Sequence, residues 1–156
     1  MSQRVHNCVI PTDRHLDVEE HVWAKVDDDG VVTIGMTDIA QSLAKKFLHA
    51  HLKGPGTEVE KGKSVATVES SKYVGPVKTP VGGEIVESNE GVGDDASLIN
   101  RSPYEDGWIA KIEADNLDDD LEGTLMGDEA VEAYREVIEG HDQLEECEHI
   151  EGSDLE

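Results

Sequence analysis

From Val22 to Ile112 the chain alternates apolar and polar residues in runs of strand length, and glycine or proline closes most of the runs. A period of two places successive side chains on opposite faces of a strand. Such a stretch buries its apolar half only by pairing into sheets with a second layer against them. Val22, Ala24 and Val26 alternate with Trp23 and Lys25. After the turn Asp27-Asp28-Asp29-Gly30, Val31, Thr33 and Gly35 alternate with Val32, Ile34 and Met36. The Asp-Gly pair makes this a hairpin. Residues 46–52, 64–69, 83–86 and 108–112 read as further strands, and Gly54-Pro55-Gly56 as a turn.

Helices are expected in few places. One starts with Thr37 or Asp38 as N-cap and carries Ile39, Ala40, Leu43 and Ala44 on one face. Ala96–Ile99 reads as a helical turn. A terminal helix takes Asp128 as its N-cap, carries Val131, Tyr134 and Ile138 as its apolar stripe with Ala130 and Val137 alongside, and stops at Gly140. The expected class is mainly β, a flattened barrel or sandwich of two small sheets with a C-terminal helix. Residues 1–20 read as an irregular N-terminal segment, 21–140 as the domain, and 141–156 as an acidic tail expected to be partly disordered.

Net charge is -23, and it is unevenly spread. Residues 45–78 hold seven lysines against three glutamates, a net of +4, while residues 1–44 carry -5, 79–114 carry -6 and 115–156 carry -16. A basic island therefore sits in an acidic protein. Phosphate would be repelled over most of the surface, which argues against nucleic acid as a partner. No run reaches the about 18 apolar residues of a membrane span. The N-terminus lacks the apolar stretch of a secretion signal, so the cytoplasm is the expected compartment.

Lys72 lies at the centre of the island, in the tight segment Ser70-Ser71-Lys72-Tyr73-Val74 between two strand-like runs. A lysine at a hairpin tip is exposed, and the register of its strands fixes its position. That suits covalent modification of the amine, but taken locally a plain solvated turn lysine accounts for it more simply. Cys8 and Cys147 are too few and too far apart in sequence for a disulfide framework or a metal knuckle. Three readings stand for them: auxiliary sulfur carriers, a pair bonded to each other, or ordinary reduced thiols. His49 and His51 share one strand face and read as partner-contact residues, since no third metal ligand accompanies them. The aspartate runs lack the spaced ligands of a calcium loop. No phosphate loop, nucleophile elbow or catalytic triad is present.

A set of separated motifs resembles the glycine cleavage system H protein and its H-like relatives. They are His21-Val22-Trp23, Gly35-Met36-Thr37-Asp38-Ile39-Ala40-Gln41, Lys61-Gly62, Val68-Glu69-Ser70-Ser71-Lys72, Pro80–Glu87 with Asn89, Leu98-Ile99-Asn100, Pro103-Tyr104 and Gly107-Trp108. They span roughly 60% of the chain without a gap. The resemblance implies a lipoyl-domain-like fold and a carrier with no catalysis of its own. It implies lipoic acid in amide linkage to Lys72, with Glu69, Ser70, Ser71 and Tyr73 forming the flanking turn. The implied partners are a lipoate-attaching enzyme, dihydrolipoamide dehydrogenase and the enzymes that exchange cargo with the arm, the carrier itself being a monomer. The related biotin carriers have Met on both sides of the lysine, and here Ser71 and Tyr73 stand there.

The departures bear on the cargo. The family's acidic residue between His and Trp is Val22, an apolar and acidic stretch has become Lys45–Lys53, and two alanines after the lysine are Tyr73 and Val74. A carboxylate beside a cationic aminomethyl cargo would stabilise it, and Val22 removes one. The variant pattern is similar to the lipoate-binding proteins that serve a heterodisulfide-reductase-like complex, where the arm carries sulfur. The expectation from sequence is therefore sulfur carriage, with aminomethyl transfer to glycine cleavage enzymes as the alternative. An unmodified structural or regulatory relative is the third reading.

Overall fold

The computed structural model describes residues 2–142 and 144–155. In chain order its strands and helices are β1 (Ser2–Val5), β2 (Cys8–Pro11), β3 (His15–Asp17), β4 (Val22–Val26), β5 (Val31–Met36), α1 (Asp38–Ala44), β6 (Phe47–Leu52), β7 (Glu58–Val59), β8 (Ser64–Ser70), β9 (Val74–Lys78), β10 (Gly83–Ser88), α2 (Glu90–Asp94), α3 (Leu98–Arg101), β11 (Ala110–Ala114), α4 (Leu117–Asp120) and α5 (Gly127–Glu139). A six-stranded sheet runs β3-β4-β5-β11-β10-β7, and a three-stranded sheet runs β6-β8-β9. All pairings are antiparallel. The two sheets face each other across a core that includes Val22, Ala24, Val32, Ile34, Phe47, Val68, Val77, Ile85 and Ile112. The sandwich expected from the alternation is thus present.

β4 is buried on both faces. Val22 and Ala24 face the sandwich, while Trp23 enters a second core with Ile10, Leu16, Ile39, Tyr104, Tyr134 and Ile138. The indole lies across Gly35, its register partner on β5, where an added Cβ would sit 2.5 Å from the ring. Its Nε1–H donates to the carbonyls of Met36 (3.1 Å) and Pro103 (2.9 Å). Arg14 stacks on the outer side, its guanidinium 4.7 Å from the ring centroid.

The chain ends differ from the sequence expectation. Residues 1–20 hold three strands, and β1 and β2 pair through His6 and Asn7, both with positive φ (48° and 63°). That is the mirror-image turn of a tight hairpin, made here without the Asn-Gly pair that usually marks it. The tail after Gly140 packs against the body, with Leu144, Cys147 and Ser153 buried. Cys8 and Cys147 are joined by a disulfide, their Cα atoms 4.8 Å apart, so of the three readings the structure shows the pair. The terminal helix begins at Gly127, and Met126, not Asp128, is its N-cap. Asp128 instead lies in the first turn, where a carboxylate favours the positive helix end. Ala130, Val131, Tyr134 and Ile138 form the buried stripe.

Asp38 explains much of this closure. Its buried carboxylate accepts from Val9 N–H of β2 (2.8 Å) and from the Gln41 amide (2.8 Å), and it meets His149 Nε2 at 2.8 Å. One side chain therefore ties the N-terminal hairpin, α1 and the tail together.

Candidate functional site

The site is built on the β8–β9 hairpin. Glu69 pairs with Val74, and Ser70 N–H donates to the Tyr73 carbonyl at 2.7 Å, which leaves Ser71 and Lys72 at the tip. Ser70 organises it. Its hydroxyl accepts from the backbone N–H groups of Lys72 (3.3 Å) and Tyr73 (3.1 Å) and donates to the Ala44 carbonyl at 2.5 Å. Serine suits this task because one hydroxyl both donates and accepts. Ala44 is the last residue of α1, so the tip is fastened to the helix end. The helix stops there because Lys45 adopts a positive φ of 69°. Buried Asn100 holds the same end in place. It donates to the Lys45 carbonyl (2.8 Å) and the Gln41 side chain (3.0 Å), and accepts from Phe47 N–H (2.9 Å).

Ser70→Ala should loosen the tip without unfolding the sandwich. The loss expected is about 1–2 kcal/mol, since two N–H groups and one carbonyl lose a partner. Amide exchange at residues 70–73 should speed up while β4 and β5 stay protected. Unchanged exchange at the tip would show that the hydroxyl does not hold it.

Lys72 is exposed, and among the described residues no carboxylate lies within ion-pair distance of it. Tyr73 folds back over Gly75, where an added Cβ would collide with the phenol. Beside the lysine opens a cavity of about 390 Å³ lined by Glu20, His21, Val22, Met36, Ala40, Leu43, Ala44, Lys72, Tyr73, Pro76, Val77 and His141. Its volume falls within the ~300–1,000 Å³ of small-molecule sites. The walls are mostly apolar, and the polar side chains are the lysine, one carboxylate, two imidazoles and the Tyr73 phenol. An apolar arm on Lys72 could fold into this space, so the residues present fit a lipoyl group.

Burial holds the His21 imidazole below its ordinary value of 6.5, with His141 adding to the effect and Asp17 opposing it. Burial does the same to His15. His21 also takes a positive φ of 57°, and its Nδ1 lies 3.4 Å from the Tyr134 hydroxyl. The folded state thus favours the neutral rings. Their contribution to stability is present above about pH 6.5 and is lost as pH falls through the lowered folded values, because the unfolded chain binds protons first. Denaturation midpoints should fall from pH 7 to pH 5, and His21→Gln should flatten part of that slope. An equal slope in the variant would assign the acid sensitivity elsewhere.

The structure brings Ser70, Ser71, Lys72 and Tyr73 together at the tip. Glu69 sits one residue before them on the outer face of the sheet. Cys8 and Cys147 lie apart, in the second core, both fully buried. Glu20 and His141 at the cavity had not been singled out. The only sequence signal for Glu20 was its place two residues before Val22. Its presence corrects one step of the sequence argument, because the missing acid at Val22 does not leave the cavity without a carboxylate.

The comparisons with known proteins agree with this geometry. The family model for the glycine cleavage H-protein matches residues 15–138. The chain is 47% identical over 140 residues to glycine cleavage system H protein 2 of Aquifex aeolicus, covering 90% of this chain and 87% of that one. It is 45% identical over 138 residues to H protein 3 of the same organism, covering 86% of each. The crystal structure of a glycine cleavage system H protein from Mycobacterium marinum superposes with a TM-score of 0.71 at 28% identity, covering 80% of this chain and 98% of that one. This chain belongs to the glycine cleavage H-protein family, whose members are non-catalytic lipoyl carriers. No described helix is long and apolar enough to cross a membrane.

Proposed function

We propose that Lys72 bears lipoate in amide linkage and that the protein serves as the carrier of a glycine cleavage system. The observation that carries this is the placement of Lys72: exposed, without an ion partner among the described residues, on a fastened hairpin tip beside a mostly apolar cavity. A lipoyl group there would supply a dithiolane disulfide able to take the cargo, here an aminomethyl group, on one sulfur while the S–S bond breaks and the other sulfur leaves as a thiol. The chain does the rest. Ser70 fixes the point from which the arm swings, Val22, Met36, Leu43 and Val77 offer it an apolar shelter, and Glu20 places a negative charge at the shelter's wall. Tethering makes each delivery to a docked enzyme effectively intramolecular. The partners in this reading are a lipoate-attaching enzyme, the glycine cleavage enzymes and dihydrolipoamide dehydrogenase.

The decisive assay is glycine decarboxylation with those enzymes, the lipoylated chain serving as acceptor. Wild type should support turnover. Glu20→Gln should lower it by roughly two- to fivefold, a modest factor because the side chain is 43% exposed and shares its charge with Lys78 at 3.9 Å. No turnover with a fully lipoylated chain would sink the aminomethyl reading. A sulfur cargo would then be the reading left, resting on Val22 at the cavity wall and on Tyr73 and Val74 beside the arm.

A further inference from the structure

Five large apolar side chains are exposed among the described residues: Leu48, Tyr73, Val74, Val86 and Met126. Three of them surround the Lys72 tip. Register explains the grouping. On the outer face of the three-stranded sheet, His49 pairs with Glu69 and Glu69 with Val74, while His51 pairs with Thr67 and Thr67 with Pro76. Two rows thus cross the sheet, His49–Glu69–Val74 and His51–Thr67–Pro76. Leu48 is the extra residue where the register of β6 shifts between Phe47 and His49. A bulge re-aims its side chain, and this one leaves Leu48 53% exposed at the strand end nearest the tip. Val74 is 65% exposed on the opposite strand. Exposed apolar side chains grouped on one face, unlike ones scattered singly, mark interaction surfaces.

Charge surrounds the same face. Lys46 and Lys53 flank β6, Lys72 sits on the tip, and none of the three has a described carboxylate within ion-pair distance. Glu69 is the single acid on the two rows. The rest of the protein is largely acidic, so lysines without a described ion pair beside exposed apolar residues mark a surface suited to a negative partner. Tyr73 and Pro76 also line the cavity, so the face begins where the arm's shelter ends.

We propose that the outer face of β6-β8-β9, centred on Leu48, Val74 and His49 and flanked by the cations Lys46 and Lys53, with the modified Lys72 (neutral once acylated) at its edge, is the docking surface for the enzymes the arm serves, and that those enzymes present an acidic rim around an apolar patch at their active-site mouths. This deepens the carrier reading and rests on it. Apolar contact at the centre gives affinity, and the flanking cations give approach rate and orientation. A polyanion such as nucleic acid is disfavoured because the remaining surface would repel it. Seating the enzyme on this face places Lys72 at the boundary of the contact, within reach of the active site.

The test is direct binding of the chain, both unmodified and lipoylated, to glycine cleavage enzymes and to dihydrolipoamide dehydrogenase. Leu48→Ser with Val74→Ser should weaken the dissociation constant roughly five- to tenfold, in line with the loss of a small apolar centre. Lys46→Glu should weaken it mainly at low salt, and raising ionic strength should weaken wild type toward that variant. Met126→Ser, the same kind of change on another surface, should leave binding unaltered. Wild-type affinity in both face variants at matched thermal stability would overturn the proposal. So would a concentration-dependent dimer that the face variants abolish, since a second copy would then own the surface. Binding is read without lipoate as well. A chain that never accepts lipoate would sink the carrier reading, while the face still stands or falls on its own dissociation constants.

Discussion

Lys72→Arg, produced beside a lipoate-attaching enzyme, is expected to keep the unmodified intact mass while wild type gains one lipoyl group. Arginine keeps the positive charge and the long stem, so the tip should look the same to water and to neighbours. What it lacks is an amine that can lose its proton. The guanidinium stays protonated and does not attack an activated acyl group, whereas an ε-ammonium yields a nucleophilic amine. The substitution should cost the fold under about 0.5 kcal/mol, because the side chain is exposed and has no described ion pair. Lys46→Arg and Lys78→Arg, nearby but not on the tip, should still gain the group. Modification of the Lys72→Arg chain would move the attachment elsewhere. A wild type that never gains mass would end the carrier reading.

Reducing the Cys8–Cys147 disulfide should lower the unfolding free energy by roughly 3–5 kcal/mol, which is large against a total of about 5–15 kcal/mol for a domain. The two cysteines are 139 residues apart. Opening so long a loop returns much entropy to the unfolded chain, up to about 5 kcal/mol in the loop-closure picture. The contacts around the bond would remain. Cys147 N–H still donates to the His6 carbonyl (3.0 Å), the Glu148 carbonyl still accepts from Gln41 (2.9 Å), and His149 still meets Asp38. The tail should therefore stay docked at low denaturant and detach early as denaturant rises. Urea unfolding with and without a dithiol reductant reads the difference. Cys8→Ser with Cys147→Ser separates the bond from the redox agent: its midpoint should match reduced wild type. Equal midpoints for all forms would show that the bond adds nothing to the remaining contacts.

The sandwich could be read in advance because its signal is local. Alternation, an Asp-Gly turn and Gly-Pro punctuation each lie within one short window, and each obliges a strand or its end. Thr37 announced α1 for the same reason, since an N-cap acts three residues ahead: its Oγ accepts from Ala40 N–H at 3.3 Å. The end segments were misread where the cause lay far away. His6 and Asn7 do not advertise a mirror-image turn, and the tail is mostly charged. What holds both is a carboxylate on α1 and a disulfide to the far end of the chain, and neither is visible in a window of sequence.

Lys72 shows the same division. Its place in a turn between two strands, and the spaced motifs around it, follow from the order of residues alone. The shelter does not. Glu20, Val22, Leu43, Val77 and His141 line one cavity because α1, β4 and β9 meet beside the tip. Which lysine stands exposed on a hairpin follows from residue order, since register along one strand pair is enough for that. What surrounds it depends on packing: the Glu20 carboxylate at the cavity wall, and the disulfide that closes the ends. Those are contacts between segments that packing, not spacing, brings together.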